Sequence, residues 1–498
     1  MQFILSPEPL GSYACDLVVE GFWQGDKTAP GKDFLPDDLT NLLSAELKRR
    51  GFEAKEGEIH VLSLLGHSKV KYIMALGLGQ KNKLTQDRVR SLAAKALKNM
   101  SGVHASKVVI HQSIISAMKD KVVGVQALVE GMELAAYSFD AYRKKDQRLK
   151  KKEVLLDLQD KTLRKKIESA IELGKIYASA TCLARDLVNT PSMHMHPAEM
   201  VERAKALSGR GKGITCKVFN REQMAKLGME ASISVGQGSQ YDPVMVQLVY
   251  KPKVRTKKKI ALVGKAITFD SGGLSLKLGD NMKDMKSDMA GAASVLGVFQ
   301  ALPSIRPKAE VHGIFIAAEN MPSGTAYRPG DVVSAMDGTT IEIENTDAEG
   351  RVTLADSLAY AALKIKPDTI IDLATLTGAV VIALGSDVAG LFSNDKNLKL
   401  AIQRSAQEAG EPIWELPLYP AYNDLIKSKI ADIRNVGGRP AGIITAALFL
   451  QKFVHDIPWV HIDIGGPSYA EKETVPEWPV GGTGWGVRTL LNYLKAAA

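Results

Sequence analysis

The sequence predicts an α/β protein, in which a smaller N-terminal α/β domain is joined by a helix to a C-terminal domain with a mostly parallel central sheet flanked by helices. Three observations lead to this prediction. Short apolar runs alternate with helix-period segments, a charged and then helical stretch interrupts the alternation after residue 150, and 498 residues suffice for two to four domains. Strand–helix alternation of this kind is typical of parallel sheets covered on both faces.

The N-terminal domain is predicted to span residues 1–160. Its clearest elements are the strands Val70–Leu76 and Lys107–His111 and the helices Arg88–Lys98 and Val125–Tyr137. We find no nucleotide-binding or metal-binding motif in this part of the sequence.

A connecting helix is predicted over residues 161–188. Apolar residues recur near i, i+3 and i+4 from Leu163 to Leu187. The helix should stop near Pro191, because proline cannot continue a helix.

The C-terminal domain is predicted to span residues 189–498. Its expected strands are Met245–Tyr250, Ile260–Val263, Val311–Ala317, Thr369–Leu373 and Trp459–Ile464. Its expected helices are Ala198–Leu207, Ala290–Ala301, Thr353–Lys364, Leu398–Ala409 and Thr445–Phe453. Ligands of such sheets bind at the carboxyl ends of the strands, so the residues that follow each strand are the first candidates for a site.

Composition excludes several classes of protein. Hydrophobic residues make up 45% and charged residues 24% of the chain, which excludes a disordered or fibrous protein. The three cysteines, Cys15, Cys182 and Cys216, are far apart and form no CxxC pair, which excludes a disulfide scaffold and a zinc ribbon and indicates a reducing compartment.

No membrane association is expected. The N-terminus has no basic segment before its apolar run, so a signal peptide is not predicted. The longest uncharged stretch, Leu373 to Ser386, is too short to cross a bilayer, and we interpret it as a buried strand and turn. We therefore expect a cytoplasmic protein.

The net charge of +9 is concentrated in three basic runs, Arg143–Lys152, Arg164–Lys166 and Lys251–Lys259. Such runs are usually solvated surface, and the functional alternative is attraction to a polyanion such as DNA. Because no helix-turn-helix, zinc-finger or RNP signature accompanies them, a DNA-binding architectural protein is a side hypothesis.

Acidic residues follow the strand ends of the second half. Asp270 follows the IALVG strand, Asp288 opens a helix rich in small residues, and Asp347 and Glu349 precede the helix TLADSLAYAALK. Each alone is explained as a turn residue, a helix cap or a first-turn acid. Together, four carboxylates at strand ends would raise one another's pKa, a conflict that divalent cations resolve. A ligand set of oxygens without histidine favours Mn²⁺, Mg²⁺ or Zn²⁺.

Two cations, Lys277 and Arg351, stand beside these acids in the sequence. Either is explained as an ordinary salt-bridge partner. Next to a metal site, a lysine can instead stabilise a developing oxyanion, and an arginine can hold a carboxylate-like anion through two hydrogen bonds. The residues alone therefore predict a dinuclear metallohydrolase of unknown substrate.

Other catalytic classes fit less well. GxSxG and HExxH are absent, and the glycine-rich segment VGGTGWG does not match the dinucleotide-binding fingerprint. A metal-dependent phosphoesterase is disfavoured because no further cationic or histidine groups accompany the acids.

Three segments resemble the signatures of leucyl aminopeptidases, the cytosol aminopeptidase family: GKAITFDSGGLSLK (264–277), MKSDMAGAA (285–293) and the highly specific NTDAEGR (345–351). The similarity continues through GTAYRPGDVV, LATLTGAVVIALG, GIITAALFL and GTGWGVRTL, and so covers the second half nearly end to end. The first half resembles the family's N-terminal domain in size and α/β character.

The resemblance implies an aminopeptidase that holds two divalent metal ions, Mn²⁺ or Zn²⁺, in each subunit. One site would use Asp270, Asp347 and Glu349, and the other would use Lys265, Asp270, Asp288 and Glu349. As a metal ligand Lys265 must be neutral, so the dications must lower its pKa far below that of free lysine.

The resemblance also implies how the other residues act. Lys277 would bind the scissile carbonyl oxygen and the tetrahedral intermediate, and Arg351 would hold a bicarbonate-like anion that relays protons from the metal-activated water. The free α-amino group of the substrate would lie near Asp288, which explains why only N-terminal residues are removed. The pocket for leucine and other apolar side chains would include Met285, Thr375 and Gly378.

Partners follow from the same resemblance. Family members act on peptides and assemble as homohexamers, and some bacterial members also bind DNA. We therefore expect peptide substrates, a homohexamer, and a secondary DNA-binding role as the open alternative.

Overall fold

A computed structural model describes residues 1–6, 8–26, 28–64, 66, 68–144, 152–158, 160, 162–209 and 213–496. The chain forms two units, one of residues 1–179 and 473–479 and the other of residues 180–472 and 480–498. The predicted class, a two-domain α/β protein, is confirmed. The division falls inside the helix Arg164–Asn189, and the predicted domain limits at 160 and 188 stay predictions.

The N-terminal unit is built on one six-stranded sheet. In spatial order its strands are Gln2–Leu5, Glu153–Leu156, Lys107–Ile110, Cys15–Trp23, Val70–Gly79 and Ile59–Ser63. All neighbours run parallel except the last pair, which is antiparallel. Its helices of ten residues or more are Asp37–Arg49, Gln86–Asn99, Lys121–Ala135 and the first part of Arg164–Asn189. The short helix Gln112–Ile115 follows the strand Lys107–Ile110.

Both faces of this sheet are buried. Successive side chains of a strand point to opposite faces, so Leu17 and Val19 belong to one apolar cluster while Val18 belongs to the other. This burial explains why the strands read as continuous apolar runs in the sequence.

The second unit contains a nine-stranded mixed sheet. In spatial order its main strands are Ile413–Glu415, Ala389–Ser393, Trp459–Asp463, Thr369–Ala374, Lys259–Gly264, Glu310–Asn320, Val244–Tyr250 and Ile214–Phe219. The strand Ala266–Asp270 pairs with the far end of Glu310–Asn320. The four central strands run parallel, and antiparallel pairs lie to either side. The expected parallel centre is therefore present, within a sheet that is mixed as a whole.

Helices and short strands complete this unit. The helices are Pro197–Leu207, Arg221–Lys226, Glu230–Gly236, Ala290–Ile305, Glu349–Tyr360, Gly378–Leu384, Lys396–Ala409, Gly442–Gln451 and Val487–Ala496. The helix Glu349–Tyr360 continues as a π-turn over Ala361–Ile365, and 3₁₀ turns cover Asp280–Ser287 and Pro420–Ile426. Two small sheets contain Val332–Ser334, Thr340–Glu342 and Ile433–Arg434, and Tyr469–Ala470 with Gly481–Gly482.

The uncharged stretch Leu373 to Ser386 differs from the prediction of a buried strand and turn. The strand ends at Ala374, and residues Gly378–Leu384 form a helix whose first turn is capped by Thr377, because its Oγ1 accepts a hydrogen bond from the Val380 amide at 3.2 Å. Ile382 on this helix is 87% exposed. The prediction of a buried turn was wrong because a run of apolar residues does not distinguish a strand from a short helix.

Within the described part of the chain, no helix combines the length and the apolar character needed to cross a bilayer.

Candidate metal centre

The four predicted acids lie at one edge of the sheet of the second unit. Asp270 ends the strand Ala266–Asp270, and Glu349 is the first residue of the helix Glu349–Tyr360. Carboxylate oxygens of Asp270, Asp347 and Glu349 all lie within 4.8 Å of one another. Asp270 ends a strand of the large sheet, whereas the strand that precedes Asp347 and Glu349, Thr340–Glu342, belongs to the separate three-stranded sheet.

Lys265 joins the fourth acid to this group. Its Nζ lies 2.8 Å from Asp288 Oδ2 and 2.8 Å from Glu349 Oε1, and it donates to the Thr375 carbonyl at 3.0 Å. Asp288 also accepts a hydrogen bond from Thr375 Oγ1 at 2.8 Å. Lys265, Asp288 and Glu349 are all buried.

Lys277 contacts the other side of the cluster. Its Nζ lies 2.7 Å from Asp270 Oδ2 and 2.5 Å from Asp347 Oδ1. The side chain keeps 18% of its surface exposed. This cation therefore lies between the acids and the solvent, where a bound molecule can reach it.

Glycines allow the backbone to pass close to these side chains. A Cβ at Gly350 would lie 2.6 Å from Lys265 Nζ, and a Cβ at Gly272 would lie 2.8 Å from Asp347 Oδ1. Gly272 also has a φ of 86°, a conformation that favours glycine. Both positions require glycine for the acids and Lys265 to meet.

Burial and mutual repulsion keep these acids from ionising freely. Burial and the charge of Asp270 raise the pKa of Glu349 to about 8, and the same two causes raise the pKa of Asp347. Burial raises the pKa of Asp288 to about 6, although Lys265 counteracts it. The cluster therefore holds more negative charge than its own two lysines stabilise.

The cations respond in the opposite sense. Burial alone would lower the pKa values of Lys265 and Lys277, but the surrounding carboxylates hold both above their usual range. Burial lowers the pKa of Arg351 to about 10. Arg351 donates from Nη1 to the Asn435 carbonyl at 2.8 Å, while its buried Nε has no hydrogen-bond partner among the described residues.

The predicted pocket residues lie at two places near these acids. Met285 is half-buried in the 3₁₀ turn that ends just before Asp288. Thr375 contacts both Asp288 and Lys265, and Gly378 begins the exposed helix that follows. The geometry brings Thr375 into the cluster directly and leaves the pocket roles of all three as predictions.

Two site residues were missed by the sequence reasoning. Asn320 donates from Nδ2 to Asp270 Oδ1 at 2.9 Å, and Asp463 is buried where its charge acts on Arg351. Both end strands of the same sheet, so the rule that indicated Asp270 would have indicated them too. They were passed over because the strands were predicted over Val311–Ala317 and Trp459–Ile464, so that neither residue was the last of a predicted strand or the first after one.

The donor set fits divalent metal ions. It consists of clustered carboxylate oxygens without histidine or cysteine, the chemistry that suits Mn²⁺, Mg²⁺ or Zn²⁺. Glu349 Oε2 is buried and receives no hydrogen bond from any described residue, so one oxygen of the cluster still needs a partner. Metal ions would also offset the excess negative charge.

Comparison with protein families matches both halves of the chain. The profile of the cytosol aminopeptidase family catalytic domain matches residues 182–491, and the profile of the family's N-terminal domain matches residues 18–146.

Individual proteins agree with this result. A probable cytosol aminopeptidase of Aquifex aeolicus is 46% identical over 457 residues, which cover 90% of this chain and 89% of that protein. One from Alkaliphilus oremlandii is 39% identical over 500 residues, covering 100% and 99% of the two chains.

Solved structures are similar as well. The bottromycin maturation enzyme BotP in complex with Mn has a TM-score of 0.86 and 35% identity, with 97% of this chain and 99% of that chain covered. A mutant of tomato leucine aminopeptidase has a TM-score of 0.87 and 32% identity, with 100% and 96% covered.

Proposed function

This chain belongs to the cytosol aminopeptidase family, whose members are metal-dependent aminopeptidases. We propose that it removes N-terminal leucine and other apolar residues from peptides. The observation that carries the proposal is the convergence of Asp270, Asp347 and Glu349 within 4.8 Å, with Lys277 in contact with two of them. This arrangement supports a site in which carboxylates would hold metal ions and an adjacent cation would bind a substrate oxygen.

Two metal ions, Mn²⁺ or Zn²⁺, would be held in each subunit. The first would take Asp270, Asp347 and Glu349, and the second Lys265, Asp270, Asp288 and Glu349, so that Asp270 and Glu349 are shared. When bound, the ions supply a Lewis acid and a water of lowered pKa for hydrolysis. The contacts of Lys265 with Asp288 and Glu349 support its place in the second set.

Lys265 must change its protonation to act as a ligand. The carboxylates alone hold its pKa above the usual value, so it is an ammonium ion among them. Positive charge from metal ions would reverse that effect and favour the neutral amine. The buried setting of Lys265 favours the neutral form as well.

Lys277 and Arg351 would act on the substrate. The Nζ of Lys277 would donate to the scissile carbonyl oxygen and stabilise the negative charge that develops on it in the tetrahedral intermediate. Arg351 would hold a bicarbonate-like anion that relays protons, and its buried, unpartnered Nε supports this role.

The substrate would be bound through its N-terminus. Its α-amino group would lie near Asp288, and its side chain would contact Met285, Thr375 and Gly378. Because Asp288 is buried, a peptide could reach it only with a free end, which supports exopeptidase action.

The protein would work as a homohexamer in the cytoplasm. Leu278 and Ile382 of the second unit are 89% and 87% exposed, and such an assembly would be expected to cover exposed apolar side chains of this kind.

Hydrolysis of leucyl-p-nitroanilide tests the proposed activity. Exhaustive chelation should abolish it, and Mn²⁺ or Zn²⁺ should restore it. Full activity in protein shown by elemental analysis to be free of metal would contradict the mechanism. A panel of aminoacyl amides would then measure the preference for leucine.

DNA binding is a second candidate function. The run Lys251–Lys259 is largely exposed, as are Arg164, Lys165 and Lys166, whereas most of Arg143–Lys152 lies outside the described residues. An Asp347→Ala variant should lose peptidase activity and still bind DNA with an affinity that falls steeply as salt rises. Absence of binding at low salt would refute this role.

A further inference from the structure

A polar cavity of about 460 Å³ lies within the N-terminal unit at the carboxyl ends of its strands. It is lined by residues at and after the end of Cys15–Trp23, by residues after Lys107–Ile110, and by Lys81 after Val70–Gly79. Cys15–Trp23 lies between the other two strands, so the cavity lies where the strand order reverses. Open α/β sheets bind ligands at such points.

Glu20 is a buried acid that lines this cavity. It is 4% exposed, and its Oε2 accepts a hydrogen bond from the Gly31 amide at 2.8 Å. Among the described residues, no lysine or arginine nitrogen lies within 4.0 Å of its carboxylate. A carboxylate removed from water is stabilised by a cation, and the described residues supply none to Glu20.

His111 does not provide that cation. Its Nδ1 lies 4.0 Å from Glu20 Oε1 and accepts a hydrogen bond from the Ser113 amide at 3.3 Å, so the proton of the neutral ring is on Nε2. Burial lowers the pKa of His111, which favours this neutral form. Burial likewise raises the pKa of Glu20 to about 7, as expected for an acid without a cation.

The rim of the cavity carries charges of both signs, the lysines Lys32 and Lys81 and the aspartates Asp26 and Asp33, all of them exposed. Lys81 Nζ lies 4.0 Å from Asp26. A ligand that enters therefore meets two ammonium groups beside two carboxylates at the rim, and the carboxylate of Glu20 at the buried end. A metal ion is a poor candidate, because the acidic cluster of the other unit is the one group of described residues with the geometry to hold one.

We propose that this cavity binds a small zwitterion, a free amino acid or a dipeptide, with its ammonium group on Glu20 and its carboxylate at Lys32 and Lys81. The ammonium group supplies the cation that Glu20 lacks, and the rim lysines neutralise the other end. The cavity is large enough for either ligand. The proposal concerns the N-terminal unit alone and does not depend on the proposed peptidase activity.

Calorimetric titration of the full-length chain tests this proposal. The protein carries Asp347→Ala and is treated with chelator, so that the acidic cluster does not contribute to binding. The probes are L-leucine, L-leucylglycine, 3-methylbutylamine, which lacks the carboxylate, and 4-methylpentanoate, which lacks the ammonium group. Leucine or leucylglycine should bind saturably, and the comparison between them identifies the natural class. Each single-charge probe should bind about tenfold more weakly or worse.

Two variants locate the binding. Glu20→Gln should weaken leucine binding by about tenfold or more, whereas Lys81→Ala should weaken leucine several-fold and leave 3-methylbutylamine unchanged. Glu46→Gln is the matched control, since Glu46 pairs with Arg49 and Arg50 on a surface helix outside the cavity.

Three results would overturn the proposal: no saturable binding of either zwitterion, equal affinity for the single-charge probes, or an unchanged affinity in Glu20→Gln. If Glu20→Gln does not fold, Lys81→Ala still decides, because that side chain is 71% exposed.

Discussion

Lys277 can be altered without removing a carboxylate from the cluster. It contacts Asp270 and Asp347 through one nitrogen and is partly exposed. A substitution of Lys277 can therefore separate metal binding from transition-state stabilisation by experiment.

Lys277→Ala should lower kcat on leucyl-p-nitroanilide by about 10²–10³-fold and leave the bound metal nearly unchanged, because it removes the proposed donor to the developing oxyanion. Steady-state kinetics and elemental analysis of the same sample measure the two effects. Lys283→Ala, at an exposed lysine of the adjoining 3₁₀ turn, is the matched control. A large loss of metal with little change in the turnover of remetallated enzyme would contradict the assigned role.

Glu20 gives a pH-dependent prediction. Burial raises its pKa from 4.5 to about 7, so folding takes up a proton between these values. Its contribution to stability is therefore fully present below about pH 4.5 and is lost as pH rises through about 7. Relative to Glu20→Gln, the native chain should lose roughly 3 kcal/mol of unfolding free energy between about pH 4 and pH 8. Denaturant titrations at several pH values measure this, and parallel curves for the two proteins would refute it.

The clustered residues were largely within reach of sequence reasoning. Asp270, Asp347 and Glu349 were predicted from their positions after strands, and the structure brings them together. Asn320 and Asp463 were not predicted. The order of the strands in the sheet decides which strand ends lie side by side, and one sequence does not reveal that order.

Among the helices and strands, the start of the helix Glu349–Tyr360 lies unusually close to the Lys265 side chain. Its second residue, Gly350, lies against the Lys265 side chain. The distance between Glu349 and Lys265 therefore depends on Gly350 having no side chain.

Gly350→Ala should reduce activity by about a hundredfold, because the added Cβ displaces Lys265 from Glu349 and errors of about 1 Å at a reacting centre cost this much. Far-UV circular dichroism should be unchanged, since alanine favours a helix. The matched control is Gly324→Ala, where a Cβ would meet no atom within 4 Å. Wild-type activity in Gly350→Ala would show that the helix start adapts.

The elements themselves were predicted with uneven success. The helix Lys396–Ala409 was expected over Leu398–Ala409 from its helical period, and the strand Glu310–Asn320 was expected over Val311–Ala317 from its apolar run, three residues short of its observed end. The helix Gly378–Leu384 was missed because seven residues span about two turns, too few for the helical period to separate from a strand.

For the molecule as a whole, the assembly of several copies is the property that one chain indicates least directly. The proposed hexamer would bury exposed apolar residues of the second unit, among them Ile382 on its short helix. A charge at such a position is costly to bury.

Ile382→Glu should therefore shift the protein to smaller species in light scattering at equal concentration. Leu42→Glu, at a residue that is 64% exposed in the N-terminal unit, is the control and should leave the mass unchanged. A hexamer that persists in Ile382→Glu would place the interface elsewhere, and a monomeric native protein would refute the assembly itself.

The two-domain α/β class was predictable because alternation of strands and helices extends along the chain. The return of residues 473–479 to the N-terminal unit was not, since it depends on single long-range contacts. Glu477 accepts a hydrogen bond from Ser91 at 3.0 Å, and Lys98 pairs with Glu473 at 2.7 Å. Local sequence patterns contain no signal for such pairs.

That returning segment has a consequence for how the protein is made. The helix Gln86–Asn99 is translated long before its partners Glu473 and Glu477, because Glu477 lies 386 residues after Ser91. One side of this helix therefore stays without its partners until residues 180–472 of the second unit have been made. A gene truncated after residue 179 would encode a fragment permanently lacking those seven residues.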